Sequence, residues 1–142
     1  MKTIYKLLSI VMLVSILACV SMPVNAATGT VYVSAGGSAF TSEYTQSYGS
    51  NSKCHMSLTY VHFSNYAENT IPSSYYVHSR LYKKSGYTAA SDLASFSQVS
   101  SSGYDYWFWE TATNGEKFVL YSYSSLNIYY SATFNFSACP WS

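Results

Sequence analysis

Charged side chains are scarce in this sequence, and the few that are present nearly cancel. Asp, Glu, Lys and Arg make up 9% of the 142 residues, and the formal charge of the whole chain is +1. Because binding to phosphate backbones requires a basic excess, this composition predicts no DNA or RNA partner. Disordered chains are poor in aromatic residues, whereas 18% of this sequence is aromatic. We therefore expect the chain to fold.

Catalytic and metal-binding motifs are also missing. The sequence contains no GxSxG or HExxH segment and no Gly-rich phosphate loop. His55 and His62 are an odd number of residues apart, which on a regular strand directs their side chains to opposite faces and prevents a shared metal ion. We expect a protein that is not an enzyme and that uses no cofactor or metal.

The first residues of the chain have the features of an export signal. Basic residues precede the apolar stretch LLSIVMLVSILACV, and PVNAA then offers a small-residue cleavage site. This predicts a signal peptide over residues 1–26, cleaved after Ala26, followed by a single secreted domain over residues 27–142. The apolar run is short for a membrane span, so we expect no transmembrane anchor. A lipoprotein processed at Cys19 is a minor alternative, because Leu17 stands where a lipobox usually has a small residue.

Removal of the signal leaves a nearly neutral chain with two cysteines. Of the seven Lys and Arg, Lys2 and Lys6 would be lost, so five remain against six Asp and Glu. The remaining cysteines are Cys54 and Cys139, and in an exported protein they predict a disulfide, worth on the order of 4 kcal/mol for a loop of this length. A metal site made of both thiols and a histidine is the alternative, but no CxxC or HxxxH spacing supports it.

The hydrophobic pattern has a period of two residues along most of the chain. It predicts strands at residues 28–34, 39–48, 54–64, 74–84 and 126–138, separated by segments rich in Gly, Ser, Asn and Pro. Residues 91–99 fit either a short helix capped by Ser91 or a strand, and we favour the strand. Seven or eight short strands at these intervals predict an all-β protein, an antiparallel β-sandwich of immunoglobulin-like or jelly-roll type.

The segment YDYWFWETATNGEKFVLYSYSS, residues 104–125, has a turn signal at its centre. Asn114 and Gly115 favour a two-residue type I′ turn, which predicts a hairpin pairing residues 104–113 with 116–125. The pairing sorts the rings into two faces. The predicted core face holds Trp107, Trp109, Phe118 and Leu120, and the predicted outer face holds Tyr104, Tyr106, Tyr121 and Tyr123 around Phe108.

The four tyrosines on the predicted outer face are candidates for ligand binding. Flat, rigid rings stack on sugar faces and make adaptable contacts at little entropic cost. The alternative is purely structural, because Tyr favours strands and cross-strand aromatic pairs stabilise sheets.

A second candidate surface lies in SYYVHSRLYKK, residues 74–84. Alternation places Val77 and Leu81 on one face. The opposite face collects rings and positive charge from Tyr76, His78, Arg80, Tyr82 and Lys84, with Lys83 adjacent. This surface suits an anionic wall polymer, a lipid headgroup or a carboxylate. The alternative is an edge strand that Lys and Arg protect from aggregation.

Three functions are compatible with these features. The first is a secreted, non-enzymatic protein that binds an extracellular glycan or another cell-envelope component through the tyrosines. The second is a secreted bacteriocin-like antimicrobial protein that uses Arg80, Lys83 and Lys84. The third is a structural or assembly protein whose strand edges pair between copies. An export signal before a small Tyr- and Ser-rich β-chain is similar to small secreted proteins of Gram-positive bacteria, some β-sandwich bacteriocins among them, but no motif identifies a family.

Overall fold

The protein is built from antiparallel β-strands. The structure is a computed structural model and describes residues 27–45, 53–107 and 115–137, which contain no helix. The predicted signal peptide and the predicted turn residue Asn114 lie outside these ranges. The strands are β1 (Ala27–Val33), β2 (Ser38–Phe40), β3 (Tyr44–Thr45), β4 (Lys53–Phe63), β5 (Val77–Lys83), β6 (Thr88–Ala89), β7 (Ala94–Phe96), β8 (Tyr104–Trp107), β9 (Lys117–Ser124) and β10 (Tyr130–Ser137).

The strands form two sheets, as a β-sandwich requires. The first sheet has the order β1-β10-β4-β8. The second has β9 and β5 at its centre, with β2 and β3 along the free side of β9 and with β6 and β7 along the free side of β5. Since each of these two short pairs occupies one edge, the ten described strands fill eight positions. The predicted all-β class is confirmed.

The core lies between the inward faces of the two sheets and consists of side chains that the period-two pattern selects. The largest fully buried ones are Tyr130, Phe63, Phe118, Phe134, Phe136, Met56, Leu58, Leu81, Leu120, Val31 and Val33. The second sheet contributes small polar residues opposite some of these. Ser122 Oγ lies 3.0 Å from the hydroxyl of Tyr130, which satisfies a buried phenol and joins the two sheets.

A buried hydroxyl group bridges the interruption in each edge of the second sheet. Thr41 lies between β2 and β3, and its Oγ1 accepts the N–H of Leu120 at 3.0 Å. Ser91 lies between β6 and β7, and its Oγ accepts the N–H of Leu81 at 3.0 Å. Leu81 and Leu120 face each other across the sheet centre. Both hydroxyls therefore replace missing backbone acceptors at the same level of the sheet.

The predicted hairpin over residues 104–125 is wrong for the part that the structure describes, and residues 108–114, which include Phe108 and Trp109, lie outside that part. Tyr104–Trp107 pairs with β4 in the first sheet, whereas Lys117–Ser124 lies at the centre of the second. Trp107, predicted in the core, faces Lys53 in register and is 60% exposed. Both faces of β9 carry apolar or aromatic side chains. These side chains bury more surface when β9 lies at the centre of a sheet than when it forms one strand of a local hairpin. Phe118 and Leu120 are buried as predicted.

Other strand predictions hold with changed boundaries. Residues 91–99 contain a strand, β7, as favoured. The strand predicted over 39–48 is divided by the interruption at Thr41, and the last strand begins at Tyr130, with Leu126 and Ile128 packed against the core before it.

A β-bulge corrects the prediction for the two histidines. β4 has an extra residue, Thr59, between the partners of Thr133 and Phe134 on β10. His55 pairs with Ser137 and His62 with Ser131, so both histidines lie on the same outward face. They are still about 20 Å apart along the strand, too far to share a metal ion.

Cys54 is fully buried on the inward face of β4. Cys139 lies outside the described residues, so the disulfide between them stays a prediction.

Removal of either bridging hydroxyl should destabilise the fold. Thr41→Val and Ser91→Ala each leave a buried Leu N–H without its acceptor, and we expect each to lower the free energy of unfolding by about 1–3 kcal/mol. Urea denaturation measures the change. Thr30→Val is the matched control, because Thr30 is exposed and its hydroxyl bonds across the outer face to Thr133. Equal stabilities for Thr41→Val and Thr30→Val would contradict the bridging role.

Candidate functional site

Six of the eight candidate ligand-binding residues lie together on the outer face of the second sheet. In the β5–β9 register, His78 is opposite Tyr123 and Arg80 is opposite Tyr121, and the alternation along β5 adds Tyr76 and Tyr82 to the same face. Two of the four tyrosines of the first predicted surface, Tyr121 and Tyr123, therefore join the second predicted surface. We call the connected rings on it the aromatic face; they are Phe40, Tyr76, His78, Tyr82, Tyr87, Tyr121 and Tyr123.

Neighbouring rings of the aromatic face are in contact along the two central strands. His78 stacks on Tyr123 with ring centroids 4.7 Å apart, and the ring of Tyr76 lies 6.0 Å from that of His78. Tyr123 lies 5.8 Å from Tyr121, which lies 5.4 Å from Tyr82. The rings therefore form a continuous row across both strands.

Phe40 and Tyr87 widen the row into a cluster. The ring of Phe40 lies 5.5 Å from Tyr82, 5.2 Å from Tyr121 and 5.0 Å from Tyr87. Val119 faces outward opposite Tyr82, and yet it is only 1% exposed. We attribute its burial to the ring cluster, which covers this position and excludes water from it. Part of the aromatic face is thus a small second core outside the sheet.

The sequence prediction missed Phe40 and Tyr87. Phe40 reaches the face because β2 pairs with β9 and sets it opposite Tyr121. Tyr87 lies in the turn formed by residues 84–87, where its φ is 51°. Neither position carries a local signal, since each joins the cluster through pairing or turn geometry that only the folded chain defines.

The remaining two candidates, Tyr104 and Tyr106, do not join this face, because β8 belongs to the first sheet. Tyr104 is exposed at the sheet edge, as predicted. Tyr106 was predicted to lie outside, but it is half-buried, pairs with Cys54 in register and packs edge-on against Phe96 of the core. The pKa of its phenol is raised by this burial. Tyr106 therefore serves the core, and the outer-face prediction for it is wrong.

A group of charged side chains lies at one end of the aromatic face. Glu43 Oε2 is 2.9 Å from Lys117 Nζ, and Glu43 Oε1 is 3.5 Å from Lys84 Nζ. The hydrogen bond from Lys117, reinforced by the charge of Lys84, lowers the pKa of the Glu43 carboxyl. Lys84 also donates to the hydroxyl of Tyr87, and its Nζ lies 4.6 Å from the centre of that ring. The charges and the rings are therefore contiguous.

Lys83 pairs with a different carboxylate. It forms an ion pair with Glu116, with Nζ and Oε1 2.9 Å apart. Its register partner is Phe118, whose side chain is in the core. The three basic residues predicted to act together thus divide, with Arg80 and Lys84 on the outer face and Lys83 at the inward rim.

His78 occupies a position where its charge state affects the rings. Nδ1 lies 2.9 Å from Ser95 Oγ, and the half-buried imidazole contacts the rings of Tyr76 and Tyr123. This burial lowers the pKa of His78 below its usual value. At neutral pH the imidazole is therefore uncharged, and it contributes a flat neutral ring to the row.

Comparisons with known proteins give no further indication of function. No protein-family model, curated protein or solved structure matches the chain.

Within residues 27–45, 53–107 and 115–137, no three His, Cys, Asp or Glu side chains are grouped so as to hold a metal ion. The same residues include no helix of the length and hydropathy that a membrane span requires.

The lowered pKa of His78 predicts a loss of stability on mild acidification. The unfolded chain takes up a proton at this histidine near pH 6.5, whereas the folded chain does so only at a lower pH. The neutral ring therefore contributes its full stability above about pH 6.5, and this contribution is lost as the pH falls through the folded-state pKa.

Urea denaturation between about pH 6.5 and pH 5 measures this dependence, and NMR titration of the imidazole gives its pKa directly. His78→Asn keeps a polar group beside Ser95 but does not titrate, so its stability should depend less steeply on pH in this range. An unchanged slope in His78→Asn would show that another group is responsible.

Proposed function

We propose that this protein is exported and acts outside the cell as a non-enzymatic binding protein for a glycan or another cell-envelope polymer. The aromatic face is the proposed binding surface. The observation that carries the proposal is the continuous contact of seven rings on one outward sheet face. Large rings gain most from burial between the sheets, and these rings lie outside that core.

The exposure of the outer rings supports binding over a purely structural role. Tyr76 is 42% exposed and Tyr87 is 46% exposed, although both have neighbours on which to pack. A cluster needed only to cover Val119 would not extend as far as Tyr76. Rigid rings with hydroxyl tips give flat apolar contact together with hydrogen bonding, which is the combination that sugar faces require.

The dimensions of the surface suit an extended ligand. From Tyr76 to Lys84 the chain advances eight residues, about 26 Å along the strand direction. Phe40, Tyr76 and Tyr87 are exposed along this length, so a polymer can lie along the row. Polymer binding is therefore a better match than binding of a small molecule, which favours an enclosed cavity.

Of the two predicted architectures, the strand order supports the jelly roll. With the eight strand positions numbered in chain order, the first sheet reads 1-8-3-6 and the second reads 2-7-4-5. Successive strands therefore cross between sheets except at the β5–β6 connection. This arrangement matches the eight strands and two Greek keys of a jelly roll.

Alanine substitution of the exposed rings tests the proposal. We expect Tyr76→Ala and Tyr87→Ala each to weaken binding to polysaccharide or cell-wall material about fivefold or more, from the loss of about 1 kcal/mol of ring contact. Pull-down with insoluble polysaccharides and isolated cell walls measures this. Tyr32→Ala is the matched control, because Tyr32 is 69% exposed on the first sheet.

Each outcome has a distinct meaning. Equal binding by Tyr76→Ala, Tyr87→Ala and Tyr32→Ala would exclude the aromatic face as the binding surface, provided that thermal unfolding shows all three to be folded. Growth inhibition by the purified protein, lost on substitution of Arg80 or Lys84, would favour the antimicrobial alternative. Concentration-dependent assembly without polymer binding would favour pairing of strand edges between copies.

A further inference from the structure

Glu43 occupies a clamp formed by two lysines. It lies in the break between β2 and β3, and each of its carboxylate oxygens contacts a different ammonium group, Oε1 with Lys84 and Oε2 with Lys117. Lys84 directly follows β5 and Lys117 begins β9, and the N–H of Lys84 bonds to the carbonyl oxygen of Lys117. The strand pairing therefore fixes a site for the two oxygens of one planar carboxylate.

The clamp carries more positive charge than Glu43 neutralises. Two ammonium groups share one carboxylate, and that carboxylate is on a side chain that remains well exposed. A surface ion pair of this kind is weak, because solvent screens it and side-chain entropy opposes it. A carboxylate from outside can therefore replace Glu43 at little cost.

The clamp is also contiguous with the rings. Lys84 contacts Tyr87 through both the phenol hydroxyl and the ring face, and Tyr87 packs on Phe40. A ligand held here meets a flat apolar surface and a carboxylate site side by side. A sugar ring that carries its own carboxylate presents this pair of features.

We infer that the ligand of the aromatic face is a polysaccharide containing uronic acid units, whose carboxylate displaces Glu43 from the Lys84–Lys117 clamp while its sugar ring packs on Tyr87 and Phe40. This inference rests on the proposed function. It identifies the class of polymer, and it gives Glu43 the role of an internal competitor that occupies the clamp until the ligand arrives.

Two forms of one oligosaccharide test the inference. Oligogalacturonate carries free carboxylates, and its methyl ester has the same sugar rings without the charge. We expect calorimetry at an ionic strength near 0.15 M to show tighter binding of the acid form. Glu43→Gln should tighten binding of the acid form by about threefold to tenfold and leave binding of the ester unchanged.

A matched control separates displacement of Glu43 from a change in net charge. Glu116→Gln alters the charge by the same amount nearby, and the ion pair that it removes is the one with Lys83. We expect it to change binding of the acid form by less than about twofold. Equal effects of Glu43→Gln and Glu116→Gln would overturn the inference, as would preference for the ester or for a glycerol phosphate polymer over oligogalacturonate.

The ring variants distinguish failure of this inference from failure of the proposed function. If Tyr76→Ala and Tyr87→Ala weaken binding of both forms while Glu43→Gln changes neither, the aromatic face binds sugars and the carboxylate site is wrong. If these ring variants leave the binding of both forms unchanged, the proposed function is wrong and the inference falls with it.

Discussion

The pairing of β5 with β9 is the constraint on which the rest of the structure depends. Its register sets Leu81 against Leu120 on the inward face and, one residue away, Arg80 against Tyr121 on the outward face. A shift by one residue would exchange the two faces and place polar groups and hydroxyls in the core. The same pairing that forms the centre of the second sheet therefore assembles the aromatic face and the lysine clamp. Core and candidate site are determined by one set of backbone hydrogen bonds.

The interrupted edges are consistent with this central pair. Each edge is interrupted at the level of Leu81 and Leu120. There the hydroxyls of Ser91 and Thr41 accept the backbone N–H groups in place of a carbonyl oxygen. The breaks free the chain to change direction without leaving a buried N–H group unsatisfied. One break positions Glu43 over the clamp, and short edges also offer little template for pairing with another copy. A feature that protects the sheet thus also supplies a residue to the candidate site.

Alternation predicted much of this structure from the sequence. It identified the all-β class, the inward Val77 and Leu81, and the outward Tyr76, His78, Arg80 and Tyr82, because one buried sheet face imposes a period of two on each strand. It failed where pairing partners had to be chosen. The turn signal at Asn114 and Gly115 favoured a local hairpin, but a turn contributes little compared with burial of a central strand on both sides. The prediction that His55 and His62 lie on opposite faces failed for the same reason, because the bulge at Thr59 depends on how β4 pairs with β10.

In the proposed function, the aromatic face has to satisfy two demands that conflict. Rings that cover Val119 must pack tightly on one another, whereas rings that bind a ligand must leave a face open. The exposure of the described side chains depends on their position in the cluster. Tyr82 and Tyr121 are half-buried at the centre, and Tyr76, Tyr87 and Phe40 are exposed around them. Because the central rings hold the outer ones in place, little side-chain entropy remains to be lost when a ligand binds. In that proposal, packing and recognition are successive layers of the same cluster, and the alternative that such rings only stabilise a sheet accounts for the inner layer alone.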